Sequence, residues 1–155
     1  ADKVSINSAA VIRPDLINEL AANFGSQCIM VAIDARKDGG VSCVHTHGGT
    51  QSTILKTLQW AIEVTQRGAG EILLTSMDRD GTKTGFDVAL TQQVSQNVTV
   101  PVIASGGGGQ NEHFLDIFTN GYADAALAAS IFHFNEIEIN DLKQYLRMNN
   151  ISIRI

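Results

Sequence analysis

The segment Thr75-Ser76-Met77-Asp78-Arg79-Asp80-Gly81-Thr82-Lys83-Thr84-Gly85 sets two carboxylates and two cations among glycines, directly after the apolar run Ile72-Leu73-Leu74. Carboxylates beside cations can move protons or hold a charged substrate, and glycine lets the loop bend closely around it. Scaffold turns into chemistry within a few residues, as in a strand that feeds an active-site loop. A second transition of this kind stands at Asp34, after the apolar residues Cys28 to Ile33. A carboxylate there is either a solvated strand end or an acid–base group whose pKa the partly buried position raises. A third is Ser105-Gly106-Gly107-Gly108-Gly109-Gln110, between an apolar strand and a helical pattern. Backbone N–H groups of such a turn, with the helix N-terminus behind them, suit an anion, most commonly a phosphate. No Lys-Ser/Thr pair follows, so this is no Walker sequence, and a dinucleotide fingerprint lacks its acidic residue. Ala129-Ser130 repeats the small residues after the last apolar segment, so a short helix there turns its N-terminus toward the same anion. Taken singly, each stretch is equally a strand with a solvated turn; their recurrence points to a site. His45 and His47 fall on one side of a strand, but the further ligands a metal needs are absent, and both read as surface histidines.

These loops require strands and helices to hold them. Strand starts near residues 3, 28, 71, 101 and 123 alternate with helical patterns. One helix opens at Pro14, turns Leu16, Ile17, Leu20, Ala21 and Phe24 inward and stops at Gly25. Another runs from near Thr53 to Arg67, with Ile54, Leu58, Ala61, Ile62 and Val64 on its packed face. Helices also follow over 86–96, behind the glycine-rich turn with Phe114, Leu115, Ile117 and Phe118, and over 139–148 with Leu142, Tyr145 and Leu146; 151–155 is a tail. Residues 35–52 are too long and polar for a simple connection, and Val41 to Thr46 alternate as in a small hairpin. The run 72–76 shows no alternation, as expected of a strand covered on both faces of a parallel sheet. Repeated βα units with right-handed crossovers give a parallel sheet, either open or curled into a barrel. Five strands alone do not close an eight-stranded barrel, and periodicity does not choose between the two.

With 155 residues, 44% hydrophobic and 17% charged, the chain suffices for one packed domain over 1–155. A net charge of −5 and a pI near 5.2, with no basic stripe, argue against a nucleic-acid partner. No apolar stretch approaches the roughly 18 residues of a membrane helix, and no signal peptide opens the chain. Cys28 and Cys43 have no metal or disulfide spacing and read as packed side chains of a reduced, cytoplasmic protein.

Taken in order, Ala1 to Asn7, Val31-Ala-Ile-Asp34, Arg67 to Ile72, Ser76 to Thr82, Ile103 to Gly107 and Ala126 to His133 resemble the cyclase subunit of imidazole glycerol phosphate synthase. That family is a (β/α)8 barrel of histidine biosynthesis. The resemblance implies an α/β fold that is a partial TIM barrel: parallel strands 4 to 8 with their helices, strands 1 to 3 missing. It implies a lyase that uses ammonia to convert phosphoribulosyl-formimino aminoimidazole carboxamide ribotide into imidazole glycerol phosphate and aminoimidazole carboxamide ribotide, without a cofactor or metal. Asp34 matches a catalytic acid–base aspartate. Thr75, Asp80 and Gly81 match substrate-contacting positions; Ser105, Gly106, Gly107 and Ser130 match one phosphate site of a bis-phosphate substrate, and Asn7 belongs to the other. Lys3 and Glu71 match charged residues around an ammonia entrance that faces a glutaminase subunit.

The resemblance also implies a second catalytic aspartate and a lysine in the loop after it, and this sequence supplies neither. The chain is therefore expected to be inactive alone, and its open sheet edges to drive formation of a homo-oligomer. Two other readings stand beside the cyclase. One is the sister phosphoribosyl-formimino isomerase, against which Glu112-His-Phe-Leu115 and Ser130-Ile-Phe-His133 speak. The other is a non-catalytic, phosphate-binding, self-associating half-barrel.

Overall fold

The computed structural model describes residues 1–154. In chain order its elements are β1 (Val4–Ile6), α1 (Ser8–Ile12), α2 (Asp15–Phe24), a 3-10 turn (Ser26–Cys28), β2 (Ile29–Asp38), β3 (Val41–Thr46) and β4 (Gln51–Lys56). There follow α3 (Thr57–Gln66), β5 (Glu71–Ser76), α4 (Val88–Ser95), β6 (Val102–Ser105), α5 (Asn111–Thr119), β7 (Ala125–Leu127), α6 (Ser130–His133) and α7 (Ile139–Met148). One seven-stranded sheet runs in the order β4-β3-β2-β5-β6-β7, with β1 also on β2. The pairs β1–β2, β2–β5, β5–β6 and β6–β7 are parallel, whereas β2–β3 and β3–β4 are antiparallel.

The expected partial (β/α)8 barrel of parallel strands 4 to 8, with strands 1 to 3 missing, is corrected by this sheet. It has seven strands, and two of its pairings are antiparallel. The cause lies in residues 35–56. Gly39 and Gly40, at φ +56° and +86°, form the two-residue turn whose twist matches a hairpin, and β2 reverses into β3 there. A second reversal through His47, Gly48 and Gly49, all at positive φ, adds β4. The helix expected from near Thr53 accordingly starts only at Thr57, and Ile54, placed on its packed face, is 97% exposed on β4. Hairpin pairing has overridden a short apolar pattern that fits either period.

Because β5 pairs with residues 30–35 of β2, the strands β1 and β3 share the opposite edge. β1 takes Ile29 to Val31 and β3 takes Asp34 to Asp38. Side chains then sort by alternation. Ile29, Val31, Ile33 and Ala35 of β2 and Ile72 and Leu74 of β5 are buried, whereas Met30, Ala32, Asp34, Leu73 and Thr75 are only half-buried. The expectation of strands covered on both faces is thus corrected: helices cover one face. Ile17 of α2, Trp60, Ala61 and Val64 of α3, and Leu90 and Val94 of α4 pack on that face. Phe86, Phe114, Ile117, Ile131, Leu142 and Leu146 form a second cluster, with Phe86 and Phe114 edge-to-face at 5.2 Å. Gly25 ends α2 at φ +87°, as its position predicts, although Ile17 is the buried residue of that helix and Phe24 is exposed. Among the described residues no helix is long and apolar enough to cross a membrane.

Ile33 and Ile54 differ in burial and not in chemistry. Ile33→Ala should cost about 2–5 kcal/mol in urea unfolding, and Ile54→Ala should stay within about 0.5 kcal/mol of the wild type.

Candidate active site

Strand register places the site. Asp34 on β2 lies opposite Thr75 on β5, Thr75 opposite Ser105 on β6, and Ser105 opposite Leu127 on β7. On its other edge Asp34 faces His45 of β3. Residues directly opposite in a sheet share a face, so His45, Asp34, Thr75 and Ser105 form one row, spaced about 4.8 Å from strand to strand. The row sits at the C-terminal ends of the parallel strands, on the face the helices leave free.

At the centre of the row, Asn7 Nδ2 donates to Asp34 Oδ2 at 2.9 Å. Asn7 follows β1, so the β1–β2 pairing delivers this bond. The Asn7 Oδ1 atom is buried and has no hydrogen-bond partner among the described residues. Partial burial lifts the Asp34 carboxyl above its ordinary range; the Asn7 hydrogen bond and the charge of His45 oppose that rise, and the negative charge of Asp80 adds to it. His45 is 7% exposed, which corrects its reading as a surface histidine, whereas His47 is exposed.

Beyond Thr75 and Ser105 the row opens into a cleft of about 230 Å³. Asp80, Gly81 and Lys83 line one side, Ser105 to Gly108 the floor, and Leu127 to Ser130 the other side. The close stacking of its loops demands glycine at two positions. Gly106 has φ +89°, and a Cβ there would lie 2.6 Å from the Ser76 carbonyl oxygen. Gly107 has φ +103°, its carbonyl accepts a 2.8 Å bond from Gly85 N–H, and a Cβ would collide with the Gly85 carbonyl. Lys83 reaches from the loop to Glu136 beyond α6, with Nζ 2.7 Å from Oε2.

Ser105, Gly106, Gly107, Asp80, Gly81 and Ser130 therefore meet in one cleft. Thr75 stands beside Ser105 in the row, and Asn7 lies apart, on Asp34. Lys3 and Glu71 pair at 2.9 Å at the other end of the strands. Two features escaped sequence reasoning. His113 Nδ1 accepts the N–H groups of Gly109 and Gln110 at 3.1 and 3.2 Å, so these two donors of the glycine turn serve the protein itself. Asp78 and Asp87 also tie the hairpin to the β5–α4 loop. Asp78 Oδ2 accepts Lys37 N–H at 2.8 Å, and Asp87 caps α4 through Leu90 N–H at 3.0 Å while lying 3.5 Å from Lys37 Nζ. The N-cap was readable from Asp87 just before the helix; the partner Lys37 was not, because it is 50 residues away.

Fold and site together define an α/β protein with a half-buried carboxylate and a glycine-lined cleft at the C-terminal ends of its parallel strands. Over residues 1–138 the sequence matches the family described as histidine biosynthesis protein, and the chain belongs to that family. It is similar to imidazole glycerol phosphate synthase subunit HisF of Cytophaga hutchinsonii, with 60% identity over 99% of this chain and 61% of the relative. The subunits of the same name from Halalkalibacterium halodurans and Lachnoclostridium phytofermentans are 58% and 54% identical, over 99% and 100% of this chain and 62% and 61% of theirs. The chain thus spans about three-fifths of the length of the curated relatives it matches.

Since burial raises the folded-state value of Asp34 above the unfolded one, ionising it costs stability. That cost is absent at low pH, where both states hold the proton, and is complete once pH passes the folded value. Asp34→Asn removes it. In thermal unfolding scans from about pH 3 to about pH 8, the Tm of the variant should gain on the wild type as pH rises through that range and then hold a constant lead.

Proposed function

We propose that the chain supplies the acid–base aspartate and the phosphate cleft of an imidazole glycerol phosphate synthase cyclase. The reaction joins ammonia, delivered by a glutaminase partner, to phosphoribulosyl-formimino aminoimidazole carboxamide ribotide and yields imidazole glycerol phosphate and aminoimidazole carboxamide ribotide. The observation that carries this reading is the row itself: a half-buried carboxylate two strands from Ser105, which opens onto the anion cleft. An extended substrate whose phosphate sits between Gly106, Gly107 and Ser130 would lie along the row with its reacting carbons over Asp34. Thr75, Asp80 and Gly81 then contact its middle, Asn7 adjoins the far phosphate, and Asp34 gives and takes protons. Lys3 and Glu71, at the opposite end, border the entry of ammonia. The relatives' names support the choice of cyclase over the sister isomerase.

Turnover by the chain alone is expected to be slight, because the second catalytic aspartate of the resemblance has no counterpart in this sequence, and one acid–base group typically contributes about 10²–10⁴-fold. The test is ammonia-dependent formation of imidazole glycerol phosphate by the chain, alone and mixed with the part of a relative that lies outside the matched span. Product should form in the mixture, and Asp34→Asn should slow it by about 10²–10⁴-fold. An associated mixture that yields no product overturns the cyclase reading; a rate indifferent to Asp34→Asn overturns the role of Asp34.

Self-association belongs to the same proposal. β1, β4 and β7 each keep an unpaired edge among the described residues, and Val4 and Leu127 are exposed on two of them. Light scattering should give a mass of at least two chains, and a well-folded monomer at the same concentration contradicts this.

A further inference from the structure

His45 is where the structure departs furthest from its sequence reading. It is the direct cross-strand partner of Asp34 in the antiparallel β2–β3 ladder, so the two side chains rise from one face with Cβ atoms about 5 Å apart. It is also among the few buried polar residues, and water does little to screen a charge there. Its Nδ1 lies 3.4 Å from the Cys43 carbonyl oxygen. A carbonyl only accepts, so this contact is a hydrogen bond in the forms of the ring that carry a proton on Nδ1. Across the other edge of β3 the residue opposite is Ser52, which carries no charge.

We infer that His45 is a positioning residue for Asp34: an imidazolium facing the carboxylate across the ladder holds Asp34 in its ionised, proton-accepting state. The groups around Asp34 divide into two sets. Burial and the charge of Asp80, from the β5–α4 loop, favour the neutral acid. The Asn7 N–H, from the end of β1, and His45, from β3, favour the carboxylate. Thr75 of β5, the other neighbour in the row, is uncharged. Of the two residues that favour ionisation, His45 alone carries a charge that pH can switch. As pH falls, a protonated ring therefore resists the protonation of Asp34 and extends its use as a base to lower pH. Packing alone would need a ring of this size; control of the carboxylate needs its charge, and that difference can be measured.

The catalytic meaning of this pairing rests on the proposed role of Asp34, but its test does not. The side-chain carboxyl carbon of Asp34, labelled with 13C, is followed by NMR through a pH titration of the intact chain. His45→Gln should move the Asp34 midpoint to higher pH, and His45→Lys, which restores a cation, should bring it back toward the wild type. His45→Asn is a second neutral replacement should the Gln variant fail to fold. In the reconstituted assay the acidic limb of the rate–pH curve should shift in the same direction. A midpoint that neutral replacements leave in place, or that Gln and Lys move equally, overturns the inference. Failure of the cyclase reading would instead appear as absent turnover with the titration shift intact.

Discussion

β2 is paired along both edges, and each of its three neighbours brings something to Asp34. Backbone N–H and C=O groups in a sheet interior must find partners, so a ten-residue strand that a parallel neighbour covers over only three residues needs another strand for its further half. The reversal at Gly39-Gly40 supplies that strand from the same chain. As a result β1 presents Asn7, β5 presents Thr75 and β3 presents His45, all by register. A slip of one residue in any of these ladders would turn its side chain to the helix-packed face.

The electrostatics of the row follow from this packing. A carboxylate on the bare face of a sheet, half-buried, pays a desolvation penalty that a single neutral hydrogen bond does not cancel. Asp80, brought near because the β5–α4 loop lies against Gly106, makes the penalty larger. The Asn7 hydrogen bond opposes both, and His45, which the hairpin brings beside Asp34, adds to it. The cleft at the other end of the row is electrically different. Lys83, already paired with Glu136, and Asp80 line it together with glycines and small residues.

Much of the site was legible because its chemistry is local. Gly106 and Gly107 stand out between a strand and a helix, and their positive φ values and crowded Cβ positions explain why no other residue would serve. Asp34 declares itself by following an apolar run, and Asp80 by standing in a charged, glycine-punctuated loop a few residues after one. His45 was misjudged for the opposite reason: two histidines in a polar stretch look alike, and only pairing with β2 buries one and leaves the other exposed. The bond from His113 to the glycine turn and the grip of Asp78 and Asp87 on Lys37 were equally hidden. Each depends on a loop conformation or a contact far along the chain.

By itself, then, the sequence determined the alternation of strands and helices outside residues 35–56 and the glycine turns, whereas β2 runs on past Asp34 to Asp38; the legible features rest on neighbours within a few positions and on side-chain chemistry. Tertiary structure alone decided that the sheet has seven strands and is mixed, that one face stays free of helices, and that Asp34 stands between Asn7, Thr75 and His45. Those outcomes depend on which distant segments share backbone hydrogen bonds. Local propensity is nearly indifferent to that choice, and the satisfaction of the whole sheet settles it.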